Sequence, residues 1–177
     1  MGENLSSIPV FDRDKFLEQY NNTKLGFENS IEIDAPLAIV LHLIDPHQTR
    51  KLHPLIRGIN FRDTCNENRW SFEVTDKLKM FGFPLKIKYS TEALVTKKDA
   101  NSVEICYEVN QSRDVRLYEI WTLEEKDGVV FLHEEVRIRA EGVMSVFKKY
   151  IYDQAKSSHG EMFQNIKREA EKDLSPE

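Results

Sequence analysis

Three carboxylic acids stand where strand alternation calls for apolar side chains. Phe72 and Val74 lead to Asp76, Leu117 to Glu119 and then Trp121, and Leu132 to Glu134 and then Val136. Alternation with a period of two puts each acid on the face of its strand that the apolar residues occupy. An unpaired carboxylate in a dry core is strongly destabilising, so acids on that face imply a polar or wetted cavity. The competing readings are a register slip or bulge that turns an acid outward, or pairing with an arginine. Tyr89 and Tyr107 share the same register, and buried tyrosine hydroxyls want partners. With Trp121 they could stack a ring or hold the polar end of a ligand, or they could simply be aromatic core. His159 lies four residues after Ala155 and three before Met162, on the apolar face of a helical pattern, where it titrates near neutrality or is a satisfied core histidine. Carboxylates desolvated in one cavity with tyrosines and a histidine could exchange protons with a carbonyl substrate. In that reading Glu119, Glu134, Asp76 and His159 are the catalytic candidates.

The other histidines, His42, His47, His53 and His133, show no metal-ligand spacing, and no metal or cofactor is expected. There is no phosphate-binding glycine loop and no nucleophile elbow. Cys65 and Cys106 match no redox or metal spacing and are expected as reduced thiols in a cytoplasmic protein. The net charge of −5 argues against nucleic acid, which needs a basic stripe. No apolar run reaches the roughly twenty residues of a membrane span, and there is no signal-peptide core. The start Met1-Gly2-Glu3-Asn4-Leu5-Ser6 fits the short template for N-myristoylation, but no basic cluster supplies a second anchor, so a disordered start is expected.

These side chains need elements to hold them. The longest is a helix of roughly thirty residues from about Val143 to Leu174, with Met144, Phe147, Ile151, Ala155, Met162 and Ile166 along one face. Such a helix, about 45 Å long, needs an extended partner for its apolar stripe. Almost all of the preceding ninety or so residues read as strand by alternation. Asp127-Gly128 is a strong two-residue hairpin signal. Counting outward from it pairs Leu123 with Leu132, Trp121 with Glu134, Glu119 with Val136 and Leu117 with Ile138. Earlier, a strand over Leu25 to Ile33 leads to Asp34-Ala35-Pro36, which opens a short helix with a capping side chain and a proline in its first turn. Asp45-Pro46 opens a second, ending near His53-Pro54. Residues 1–23 read as an extension in which Asp12 caps a short helix, and 24–175 as one domain.

The order is strand, two short helices, six antiparallel strands and a long helix. It resembles the helix-grip fold of the START-like (SRPBCC) superfamily, which includes polyketide cyclase/dehydrase-like and lipid-transfer proteins. The carrying segments are Ile31 to Pro36, Asp45-Pro46 through Ile56, Phe81 to Leu85, Trp121-Thr122-Leu123 with Asp127-Gly128, and Met162 to Glu169. The fold class expected is α+β, a curved antiparallel sheet of about seven strands around the long helix. Where many relatives carry an aromatic residue before the proline, this chain has Leu52-His53.

The resemblance implies a cavity between sheet and helix, filled by a small hydrophobic molecule: a lipid, sterol, isoprenoid or polyketide. On this reading the strands contribute Phe72, Met80, Ile87, Tyr89, Tyr107 and Trp121 to the ligand, and the helix contributes Met144, Phe147 and Ile151. In START-like relatives the loop at Phe81-Gly82-Phe83-Pro84 borders the cavity mouth. Phe81 and Phe83 then act as a gate, or as a lip touching a membrane transiently, unless the loop folds onto its own core. Binding or transport without chemistry is the leading expectation, and a cyclase/dehydratase using the cavity acids is the alternative. A regulatory interaction module on the same fold has no sequence feature in its favour, and oligomeric state is left open.

Overall fold

The computed structural model of the chain describes residues 11–62, 68–80 and 83–172, with side chains at 78–80 and 83–85 excepted. In chain order the elements are α1 (Arg13–Asn22), β1 (Gly26–Ile33), α2 (Leu37–Ile44), α3 (Pro46–Leu52), β2 (Ile56–Phe61) and β3 (Arg69–Met80). They continue with β4 (Phe83–Lys97), β5 (Ser102–Asn110), β6 (Val115–Lys126), β7 (Val129–Ala140) and α4 (Lys148–Lys172). The strands form a seven-stranded antiparallel sheet in the order β1-β7-β6-β5-β4-β3-β2. Each strand from β2 to β7 therefore pairs with its chain neighbour, and β1 closes the far edge against β7. With α4 across its inner face, this is the helix-grip arrangement.

The β6–β7 hairpin keeps the register counted from its turn, including Trp121 opposite Glu134 and Glu119 opposite Val136. Asp127 and Gly128 both adopt positive φ, 54° and 83°, as a turn matched to the strand twist requires. Asp45 caps α3 through the His47 amide, with Pro46 in the first turn. The start of α2 differs from the expectation. Pro36 is the N-cap rather than a first-turn residue, and no side chain of the Asp34-Ala35-Pro36 segment caps the helix. The Leu37 amide instead donates to Glu125 Oε2 at 2.9 Å, so the far end of β6 supplies the cap. The Asp34 amide in turn donates to Glu171 of α4 at 2.9 Å.

The long C-terminal element also differs at its start. Gly142–Phe147 is a 3-10 turn, and α-helix begins only at Lys148. Gly142 leaves β7 with φ 52°, a bend that tightens the first turn. The helix is described to Lys172, and Leu174 lies outside the described residues. Its burial is divided. From Ser158 onward Met162, Phe163, Ile166 and Ala170 are buried, whereas no side chain before Ser158 is fully buried. The C-terminal half is tied down by Asn165 to the Leu52 carbonyl and by Lys167 to the Glu32 carbonyl, both at 2.7 Å.

The outer face of the sheet is covered locally. α1, capped by Asp12, lays Phe16 and Tyr20 on Cys106 and Tyr118, and all four are buried. Tyr20 donates to Glu135, and Arg13 pairs with Glu104 at 2.9 Å. Cys106 is a free buried thiol there, while Cys65 lies outside the described residues. So do Met1 to Val10, including Gly2. No described helix is long and apolar enough to cross a membrane.

Candidate functional site

The first half of α4 touches the sheet along β1, where Phe27 meets Tyr152 edge to face at 5.7 Å, but stands off the middle strands. Between them lies a cavity of about 220 Å³. A single water needs only about 10–15 Å³, so this space exceeds any structural-water site. Its walls are mainly apolar: Phe72 of β3, Ile87 of β4, Met144 of the 3-10 turn and Ile151 of α4 all line it, as do Tyr89, Tyr107 and Trp121. Tyr107 and Trp121 meet edge to face with centroids 5.6 Å apart, and Trp121 meets Phe163 of α4 at 5.3 Å. Phe163 was not part of the apolar stripe read from the sequence, because it sits beside Met162 rather than three or four residues from it. Phe147 is half-buried and does not line the cavity, since the 3-10 turn rotates it away from the helical register. The side chains of Met80 and Phe83, and the residues Phe81 and Gly82, lie outside the described residues.

All three inward acids are buried, at 3% exposure for Asp76, 6% for Glu119 and 0% for Glu134. None is turned out by a slip or bulge, and none pairs with an arginine among the described residues. His159 acts on all three through its charge and is bonded to Glu134. Its Nδ1 donates to Glu134 Oε1 at 2.6 Å, and Asn29 of β1 donates to Glu134 Oε2 at 2.9 Å. Glu134 thus lies behind His159 rather than on the cavity wall, whereas Asp76, Glu119 and His159 line it. Trp121 Nε1 donates to Glu119 Oε2 at 3.2 Å, and Tyr89 donates to Asp76 Oδ2 at 2.7 Å. The second oxygen of Asp76 is buried with no hydrogen-bond partner among the described residues.

Burial and charge compete at each group. Burial alone lowers the pKa of His159, but the charges of Glu134 and Glu119 outweigh it and raise it to about 9. His159 is therefore an imidazolium at neutral pH. Burial pushes Glu119 up to about 7, with His159 opposing and Glu134 adding to the rise. Burial also raises Asp76, against the hydrogen bond from Tyr89.

His53 is the residue that sequence reasoning passed over. It packs edge-on against His159 with centroids 5.8 Å apart, and it lines the cavity. Burial, with repulsion from His159, lowers its pKa to about 3, so it is neutral. The Leu55 amide donates to His53 Nδ1, which places the ring proton on Nε2. The only signal in the sequence is its place before Pro54 at the end of α3, and the search for metal spacing passes over it. Asn29 was missed because it is one polar residue in an edge strand.

Glu119, Glu134 and His159 bring one donor atom each to within 4.8 Å of one another, a set that could ligate a divalent cation. Their bonds to one another, and to Asn29 and Trp121, occupy lone pairs that a metal would need. The arrangement serves more directly as a hydrogen-bonded charge network on the wall of an apolar cavity.

Neither the protein-family models nor the curated proteins match this sequence. Solved structures do. A START superfamily protein from Mycobacterium smegmatis superposes with TM-score 0.58 at 11% identity, over 85% of this chain and 99% of that one. Human StAR-related lipid transfer protein 5 gives TM-score 0.66 at 8% identity, over 84% and 76%. The Zhui aromatase/cyclase from a Streptomyces species gives TM-score 0.66 at 12% identity, over 85% and 96%. At such identities the likeness is one of fold, and that fold is START-like.

Proposed function

We propose that this chain, with its START-like fold, binds a small hydrophobic molecule between the sheet and α4 and carries or sequesters it. The observation that supports this reading is the cavity of about 220 Å³ under the first half of α4, where no helix side chain before Ser158 is fully buried. A helix packed for stability alone would bury that half too, since empty apolar space costs about 24 cal/mol per Å³. The lipid-transfer neighbour points the same way, and lipid, sterol, isoprenoid or polyketide are the ligand classes that suit such walls. Native mass spectrometry of freshly purified protein tests the proposal, with a co-purifying small molecule expected. A ligand at a hundred times its dissociation constant adds about 2.7 kcal/mol of stability, which a thermal-shift panel of these classes would detect. No adduct and no shift across the panel would overturn the reading.

A second reading follows from Glu119, whose pKa near 7 suits a general acid or base at neutral pH. As in a cyclase or dehydratase, it would exchange a proton with a carbonyl substrate, and the Glu134–His159 pair would set its charge. Glu119→Gln should then abolish turnover of a polyketide-type substrate while leaving its affinity within about threefold, a difference under 1 kcal/mol. Retained turnover would remove Glu119 from the chemistry.

A further inference from the structure

Three carboxyl groups, Asp76, Glu119 and Glu134, meet one imidazolium, His159, at the polar end of the cavity. Glu134 spends both oxygens on His159 and Asn29. Glu119 accepts from Trp121, and Asp76 accepts from Tyr89 through Oδ2 alone. Asp76 Oδ1 is left without a hydrogen bond among the described residues, on a cavity-lining side chain that is 3% exposed. Arg57 of β2 acts on Asp76 through its charge, but it is exposed and gives Oδ1 no hydrogen bond. No lysine or arginine among the described residues lines the cavity. His159 is thus the one cation on the described wall, and a donor for Asp76 Oδ1 is absent from it.

We propose that the ligand of this cavity is an apolar amine whose protonated nitrogen docks on Asp76 Oδ1, with its hydrocarbon part against Phe72, Ile87 and Ile151. The proposal rests on reading the cavity as a ligand site, and it adds the chemistry of the polar end. A buried acceptor without a donor is costly, and an ammonium satisfies both the lone pair and the charge. Tyr107 and Trp121 line the same cavity, and aromatic rings attract a cation placed over them. A carboxylic acid would enter against three carboxyl groups with only His159, already bonded to Glu134, to receive it. An alcohol can donate to Oδ1 but brings no charge, leaving Asp76 to the more distant His159 and Arg57.

The test uses the full chain and a matched probe series, decylamine, decanol and decanoate, titrated by calorimetry at pH 8. Decylamine is expected to bind at least about tenfold tighter than the other two, a gap of about 1.4 kcal/mol. Asp76→Asn should remove most of that advantage and change decanol far less, since it keeps the shape of the side chain and one acceptor oxygen while losing the charge. If Asp76→Asn fails to fold, the ranking of the three probes on the native chain still decides. Binding of decanol or decanoate as tightly as decylamine would overturn the amine while leaving the cavity a ligand site. An amine preference unchanged in a folded Asp76→Asn variant would overturn the docking on Asp76. Absence of binding by all three would overturn the amine, and the ligand-site reading would then be decided by the co-purification and thermal-shift tests.

Discussion

The Glu134–His159 pair shows how strongly partners, rather than residue type, set the behaviour of a side chain. Two histidines in edge contact have their pKa values driven in opposite directions, His159 to about 9 and His53 to about 3. Burial disfavours the charged form of both, but only His159 has carboxylates beside it. Replacing Glu134 by Gln keeps the shape and removes the charge that Nδ1 faces at 2.6 Å. Its imidazole titration, followed by NMR, should then drop from about 9 to near or below the ordinary 6.5. A midpoint that stays near 9 would mean that Glu119 alone holds the proton.

Among the elements, the two edges of the sheet tolerate change differently. At Gly26 of β1 an added Cβ would come within 2.1 Å of the Val136 carbonyl oxygen, a backbone atom that cannot swing away. At Gly58 of β2 the nearest atom is 3.8 Å off, an ordinary contact. Gly26→Ala should therefore force β1 away from β7 and cost about 1–3 kcal/mol, the range for overpacking. Gly58→Ala should stay within about 0.5 kcal/mol of the native chain, as for an uncrowded surface change. Denaturant unfolding of the two variants checks this, and equal losses would remove close packing as the reason for Gly26. The consequence reaches the site, because β1 also carries Asn29, which holds Glu134 in place.

For the whole molecule, the buried groups combine into a pH dependence of stability. His159 is raised from 6.5 to about 9, so its contribution is complete below 6.5 and is lost as pH rises through about 9. Glu119, raised from 4.5 to about 7, acts in the same sense: its contribution is complete below 4.5 and lost as pH rises through about 7. His53, lowered from 6.5 to about 3, acts oppositely, being favourable above 6.5 and lost as pH falls through about 3. Stability should therefore be greatest at mildly acidic pH and decline on the alkaline side. Between pH 6 and pH 9 the unfolding midpoint is expected to fall by at least about 4 °C, since about 2–4 °C accompanies each kcal/mol at this size. A midpoint that rises over that range would contradict the assigned protonation of His159 and Glu119. Glu119→Gln should remove the part of the decline that Glu119 contributes below about pH 7, leaving the part due to His159 between 6.5 and about 9.

Local rules were enough to read strands, turn and fold class from the chain. Alternation at Leu117, Glu119, Trp121 and Leu123 set the inner face of β6, and Asp127-Gly128 set the pairing of β6 with β7, because both depend on backbone geometry within a few residues. The same alternation placed Asp76, Glu119 and Glu134 on the buried face without revealing their partners. Those partners come from distant parts of the chain: Asn29 reaches Glu134 from 105 residues away, and His159 reaches it from 25. The capping of α2 by Glu125 spans 88 residues and likewise has no local signature. Nor does alternation distinguish a packed inner face from one that stands off a helix. That gap depends on how Asn165, Lys167 and Phe163 anchor the far half of α4, and so on side-chain volumes summed over several elements. Apolar period is a property of one segment, whereas a cavity is a property of the distance between two, and only the assembled chain sets that distance.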